Sequence, residues 1–293
     1  MLFLLNLFCN SKKKQYLCAK IGANMTADYP QRFKNLLSSF HGESPNNYIG
    51  QGNPGAKILI IGKECTAQNN SIGNFYTFET MQNFATWQQN CDKLDFIDVP
   101  DWDSAPLPLN EKYNPLFPYN SWVFMGGRGH GCKTWDGYQT MMNHILPPDL
   151  RVQKGEHYTF WQHCFITELS TNNMATSRLN TKTAESINTR LNGILQHEFF
   201  QQFPIIILAC YHYKDWYHID IEQCFHQHYV DTPFDEKVGR TNDFIHRHIS
   251  TVNGSRQLLL HTNHAVNYCG SGLHSDAYYE KLGTICSEFL RTI

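Results

Sequence analysis

Four short, uninterrupted apolar runs punctuate the chain: Lys57–Gly62 (KILIIG), Thr159–Thr167 (TFWQHCFIT), Ile205–Cys210 (IIILAC) and Gln257–His261 (QLLLH). Each is rich in β-branched or aromatic residues and bounded by polar or turn residues. Runs of this length without polar alternation suit strands covered on both faces, hence a parallel sheet. Between them the apolar spacing changes to three and four. Residues 135–145 (WDGYQTMMNHI), 183–203 (Ile187, Leu191, Ile194, Leu195 and Phe199 on one face) and 278–290 (Leu282, Ile285, Cys286 and Phe289) predict helices, and the segment following Met25 predicts an amphipathic one. Strands alternating with helices predict an α/β fold, a three-layer α/β/α arrangement around a central parallel four-stranded sheet.

Two stretches interrupt this alternation. Residues 92–119 are rich in Pro and Asp and residues 211–255 are dense in histidine; both read as insertions. The first 24 residues read as an N-terminal extension, and residues 25–293 as a single domain, a size that suits one large core.

Composition narrows the picture. Hydrophobic content of 41% and charged content of 17% belong to a globular rather than a disordered chain. A formal net charge of −2 argues against non-specific coating of duplex DNA, which favours basic proteins. The ten cysteines are scattered without a CxxC pair, which reads as buried free thiols in a reducing, cytoplasmic setting and not as an iron–sulfur ligand set. The apolar start MLFLLNLFCN is far shorter than the roughly 20 residues a spanning helix needs, so no membrane association is expected.

In a parallel α/β sheet, ligands bind where strands end and loops begin. The residues after the four runs are Gly62-Lys63-Glu64-Cys65-Thr66, Glu168 with Asn172 and Asn173, Tyr211-His212-Tyr213, and His261-Thr262-Asn263-His264. Acids, amides, aromatics and a histidine thus gather on one edge. Such a set suits a site that holds a planar heterocycle and polarises a water or a leaving group. The glycine-rich Gly126–Gly131 lacks the Lys-Ser/Thr of a phosphate-binding P-loop and reads as a loop whose Arg128 could contact a DNA backbone.

The segments GNPGAKILIIGKE, FITELS, RQLLLHTNHA and TWDGYQTMM, in this order and spacing, resemble the uracil-DNA glycosylase superfamily over roughly residues 35–290. The resemblance implies base flipping followed by N-glycosidic cleavage. It gives Glu64 the place of the acid that activates water or stabilises an oxocarbenium-like sugar. It gives His261 the place of the donor to the carbonyl oxygen of the leaving base. Phe75 or Phe78 would stack on the base, Thr262, Asn263 and His264 would face the DNA strand, and the partner would be damaged or single-stranded DNA, bound by a monomer with no cofactor. The chain departs from the family pattern at Cys65, where a proline is usual, and at HTNHA in place of an HPSP-like motif. It also departs at Glu168, which holds the place of a base-reading Asn. A carboxylate only accepts hydrogen bonds, so Glu168 favours a base with two adjacent donors, such as guanine or a derivative, unless Asn172 or Asn173 supplies the amide.

Other readings stand beside this one. Glu64 also reads as a helix cap, His261 as a satisfied buried histidine, and Phe75 and Phe78 as core. The same pocket could serve a non-catalytic protein that binds a nucleotide, a base or single-stranded nucleic acid. The spacing Cys224-x-His226-x-His228 would place three metal ligands on one face of a strand, as in a metal-dependent hydrolase; the reading adopted has no metal.

Overall fold

A computed structural model describes residues 29–40, 47–64, 80–81, 83–88, 115, 133–153, 158–172, 178–238, 241–252, 254–266 and 273–293. The extension at 1–24, all of 92–119 except Pro115, and the loop at 126–131 lie outside these residues. The fold is α/β, but among the described residues its sheet is seven-stranded and mixed rather than four-stranded and parallel. The strands are β1 (Gln51–Gly52), β2 (Ile58–Gly62), β3 (Cys164–Glu168), β4 (Ile205–Leu208), β5 (His228–Val238), β6 (Thr241–Val252) and β7 (Ser255–Thr262), in the order β1-β3-β2-β4-β7-β6-β5. The pairs β2–β3, β2–β4 and β4–β7 are parallel, whereas β1, β5 and β6 add antiparallel pairs at the two sides.

The apolar runs are continuous because the sheet is covered twice. Leu59, Ile61, Phe165, Ile206, Leu208 and Leu259 point to one side, where they pack with Phe33, Leu36 and Leu37 of α1 (Gln31–Ser39), Trp87, and Ile187 and Leu191 of α3 (Thr181–Leu191). Ile58, Ile60, Ile166, Ile205, Ile207 and Leu260 point to the other. There they meet Tyr138, Met141 and Met142 of α2 (Lys133–Ile145), and Tyr278, Leu282 and Ile285 of α4 (Asp276–Leu290). The helix starts are chemically specified: the Asn180 side chain accepts from Thr183 N and the Ser275 hydroxyl from Tyr278 N, each satisfying a backbone donor of a first turn.

Two expectations about single elements are corrected. The run Thr159–Thr167 is not one strand. Residues Phe160–His163 form a helical turn before β3, because the Gln139 side-chain oxygen accepts from both Thr159 N (2.8 Å) and Phe160 N (2.9 Å), and the Phe160 ring stacks on Trp135. The apolar face at 183–203 is buried as its spacing requires, but the helix ends at Leu191 and is followed by two short turns, Ile194–Gln196 and Glu198–Gln201. Gly193 marks the break: a Cβ there would lie 2.7 Å from the Thr189 carbonyl oxygen. Within the histidine-rich stretch 211–255, short helical turns at Tyr213–Trp216 and Ile221–Phe225 precede the β5–β6 ribbon, which prolongs the sheet beyond β7. At the opposite edge β1 exists because Gly50 (φ 130°) and Gly52 (φ 93°) reach backbone angles and a closeness to β3 that a side chain forbids; their Cβ atoms would fall 2.2 Å and 2.5 Å from the Ile166 and Cys164 carbonyl oxygens.

Candidate functional site

The chain leaves β2 for β3 on one side and then passes to β4 on the other. The sheet therefore reverses its winding between β2 and β4, and the carboxyl ends of these two strands flank the crevice where open α/β sheets bind ligands. Lys63 and Glu64 follow β2 directly, Glu168 ends β3, Cys210, Tyr211 and His212 follow β4, and His261 to His264 close β7 and the segment after it.

Glu168 and Gly62 are register partners, and the carboxylate of Glu168 lies against the bare Cα of Gly62, where an added Cβ would fall 2.2 Å from Oε2. The glycine of the first motif thus makes room for the acid of the second. Behind it, the buried Arg190 guanidinium holds the end of β3, donating from Nε to the Glu168 carbonyl (3.0 Å), from Nη1 to the Tyr48 carbonyl (2.8 Å) and from Nη2 to Thr167 Oγ1 (3.1 Å). Lys63 places its ammonium 5.3 Å from the centre of the Tyr213 ring. Burial holds this amine below the ordinary lysine range, against the opposing fields of Glu64, Cys210 and Glu168.

Three histidines of this edge, His212, His261 and His264, are uncharged near neutrality. Burial, then the charge of Lys63, lowers His212 to about 4, and burial followed by Lys63 and His274 lowers His264 to about 3. His261 is 4% exposed and is lowered to about 3, mainly by burial. Its Nε2 faces the Tyr211 carbonyl at 3.2 Å, so Nε2 carries the proton and donates there. Its Nδ1 is then an acceptor, buried with no partner among the described residues. In this geometry the ring offers an acceptor rather than the donor implied for it, because its N–H is already engaged. Tyr211 holds the receiving carbonyl in a left-handed backbone conformation (φ 48°), uncommon for a residue with a side chain. Burial pushes the Cys210 thiol up to about 12, which leaves it a poor nucleophile.

The remaining candidates are distributed as follows. Asn172 is committed to the start of α3, its Nδ2 donating to Thr183 Oγ1 at 2.9 Å. Thr262 is buried, with its hydroxyl bonded to Tyr278 Oη. Asn263 is buried too, donating to the Asn242 carbonyl (2.8 Å) and to Asp243 Oδ1 (3.0 Å). The side chains expected to face DNA are therefore turned inward at these two positions, since each fills a buried polar contact, and of the three only His264 is partly open. Phe75, Phe78, Arg128 and Asn173 lie outside the described residues. Trp216, Phe244 and His246, which sequence reasoning missed, join the expected Tyr211 and His212 along the edge. His212 lies 3.7 Å from the partly exposed Trp216 and 4.7 Å from Tyr211, and the series continues through Phe244 to His246. Trp216 carried a weak sequence signal, as an aromatic residue just beyond the third apolar run, whereas Phe244 and His246 lie far along the chain from it.

The Cys224-x-His226-x-His228 spacing does not lie on one strand. Cys224 closes a helical turn, His226 is left-handed (φ 54°), and only His228 enters β5. Among the described residues, no group of three or more His, Cys, Asp or Glu is placed to hold a metal ion, and no helix is long and apolar enough to cross a membrane. Cys164, Cys210, Cys224 and Cys286 are free thiols. Comparisons with family models, curated proteins and solved structures return no match to this chain.

Proposed function

We propose that this protein is a hydrolase of the uracil-DNA glycosylase type, with that superfamily's fold built on the parallel strands β3-β2-β4-β7. It removes a damaged or unusual base from DNA by N-glycosidic cleavage after base flipping. The observation that carries this reading is the gathering of Glu64, Glu168 and Lys63 at the carboxyl ends of adjacent strands where the sheet reverses. Glu64 stands where a carboxylate can activate water or offset positive charge developing on the sugar. Glu168, and His261 through its bare Nδ1, both present acceptors, so the favoured base carries adjacent N–H donors, as guanine and its derivatives do. The rings of His212 and Trp216 supply stacking surface. Hydrolysis of this kind needs no redox cofactor, and the reading is of a monomeric, cytoplasmic enzyme.

A second reading, a non-catalytic protein binding a base, a nucleotide or single-stranded nucleic acid in the same crevice, is favoured by one observation. The His261 N–H that would stabilise a leaving base is engaged by the Tyr211 carbonyl. The test is incubation with oligonucleotides carrying uracil, hypoxanthine, xanthine or oxidised guanine, followed by alkali to reveal abasic sites, with Glu64→Gln alongside. Release of a donor-rich base, lost in Glu64→Gln, is the expected result. Binding that survives Glu64→Gln without release of any of these bases favours the second reading.

A further inference from the structure

Lys63 stands at the end of the central strand β2 and is electrostatically coupled to groups at the carboxyl ends of all four parallel strands. It leaves β2, the strand flanked by β3 and β4. Glu64 and Glu168 act on its charge from the ends of β2 and β3, and Cys210 from the end of β4. Its charge in turn depresses His212, beyond β4, and His264, beyond β7. The side chain is partly buried and rests over the face of Tyr213. Among the described residues its ammonium makes neither a hydrogen bond nor a close ion pair. A lysine serving only to neutralise Glu64 or Glu168 would sit in contact with one of them, because a desolvated ion pair is worth its burial only at close range. Lys63 instead stands clear of both carboxylates, shielded from bulk water and at the crevice.

That arrangement is the one chemistry asks of an amine nucleophile. Desolvation favours the free amine, and nearby carboxylates can take up the proton it sheds. Carbonyl compounds are the electrophiles such amines capture. Removal of a base from DNA leaves a deoxyribose that opens to an aldehyde at C1′. We propose that Lys63 captures this aldehyde covalently, giving the protein a lyase activity on abasic DNA in addition to base removal. The Nζ lone pair attacks C1′ and the new carbon–nitrogen bond forms. The former carbonyl oxygen, after taking up two protons, leaves as water, and an iminium remains. A carboxylate then removes a proton from C2′, the C3′–O bond breaks, and the 3′ phosphate departs with its electron pair. No oxidant, reductant or further reactant enters. The proposal rests on the base-excision reading only for the origin of the aldehyde, and its test bypasses that origin.

The experiment uses the full chain, oligonucleotides with a pre-formed abasic site in single-stranded and duplex form, and sodium borohydride, which reduces an iminium to a stable amine. The wild-type protein is expected to form a protein–DNA adduct resistant to denaturation, which peptide mapping places on Lys63. Lys63→Met and Lys63→Arg are expected to lose it, the latter while keeping the positive charge. Lys57→Met, which alters an exposed lysine at the other end of β2, is expected to keep it. Thermal melts identify a variant that has failed to fold, and Lys63→Arg guards against that outcome for Lys63→Met. Trapping is further expected to rise with pH through a midpoint below that of a free lysine, which a merely structural role would not produce. Absence of an adduct with pre-formed abasic DNA, or an adduct retained in both variants, overturns the proposal. Adduct formation without release of any base keeps the lysine chemistry and removes the excision reading. Base release without an adduct does the reverse.

Discussion

Two ionisable clusters adjoin at the carboxyl edge of the sheet, and they are built on opposite principles. In one, Asp243 of β6 is fully buried and its Oδ1 accepts from His274 Nδ1 (2.6 Å) and Asn263 Nδ2 (3.0 Å), while Oδ2 accepts from Ser275 N (3.3 Å). His274 Nε2 completes the circuit on the His264 carbonyl at 2.7 Å. These contacts offset the penalty of burial and leave the Asp243 carboxyl below the ordinary range. They tie β6, the segment after β7 and the start of α4 into one unit. In the other cluster, Lys63 is partly buried and makes no hydrogen bond among the described residues. His264 joins the two, giving its carbonyl to His274 and its ring to the field of Lys63. A buried charge with a complete set of partners is architecture, because removing any partner strands the rest. A partly buried charge that rests on a ring and makes no hydrogen bond is held in a state that water would not favour, and so is available for chemistry.

The largest effect that could break this contrast is expected at Asp243. Asp243→Ala strips His274 and Asn263 of their acceptor and should cost about 3–5 kcal/mol in urea unfolding. A loss below about 1 kcal/mol would erase the architectural role. A smaller effect is expected from Gly62→Ala, whose Cβ must displace the Glu168 carboxylate lying 2.2 Å away. It should destabilise by roughly 1–3 kcal/mol and lower base release or ligand binding more than stability alone explains, as a comparison of the two assays would show. The smallest is expected from Lys63→Met, within about 1 kcal/mol at neutral pH, since the variant removes a charge that folding had to desolvate. The pH dependence sharpens the point. The folded amine titrates below its unfolded value of 10.5, so between the two the unfolded chain binds more protons and stability rises with pH. Unfolding of the wild type measured from neutral to alkaline pH should show that rise relative to Lys63→Met, and an identical pair of curves would place Lys63 in ordinary solvent.

How much of this was legible along the chain depended on the range of the interactions involved. Continuous apolar runs marked the four central strands, and the rule that sites form at strand ends located Glu64, Glu168 and His261. The β5–β6 ribbon escaped because its histidines hid a strand alternation: His246 and His248 face one side while Ile245 is buried on the other. The helical turn at Phe160–His163 escaped because two backbone donors are captured by Gln139, about twenty residues earlier. Arg190 gave no signal at all, for one of its acceptors, the Tyr48 carbonyl, is 142 residues away.

By itself the sequence determined the α/β class, the central strands, the principal helices and the edge at which polar residues gather, since these follow from local periodicity and from burial on two faces. Only the tertiary structure decided which charged groups would be satisfied. Asp243 and His274 are 31 residues apart and became a closed pair, Thr262 and Asn263 turned inward, and Lys63 came to rest over Tyr213, within the field of two carboxylates. The physical reason is that hydrophobic burial is a property each residue carries along the chain, whereas hydrogen bonding and desolvation depend on which distant groups folding brings within about 3 Å.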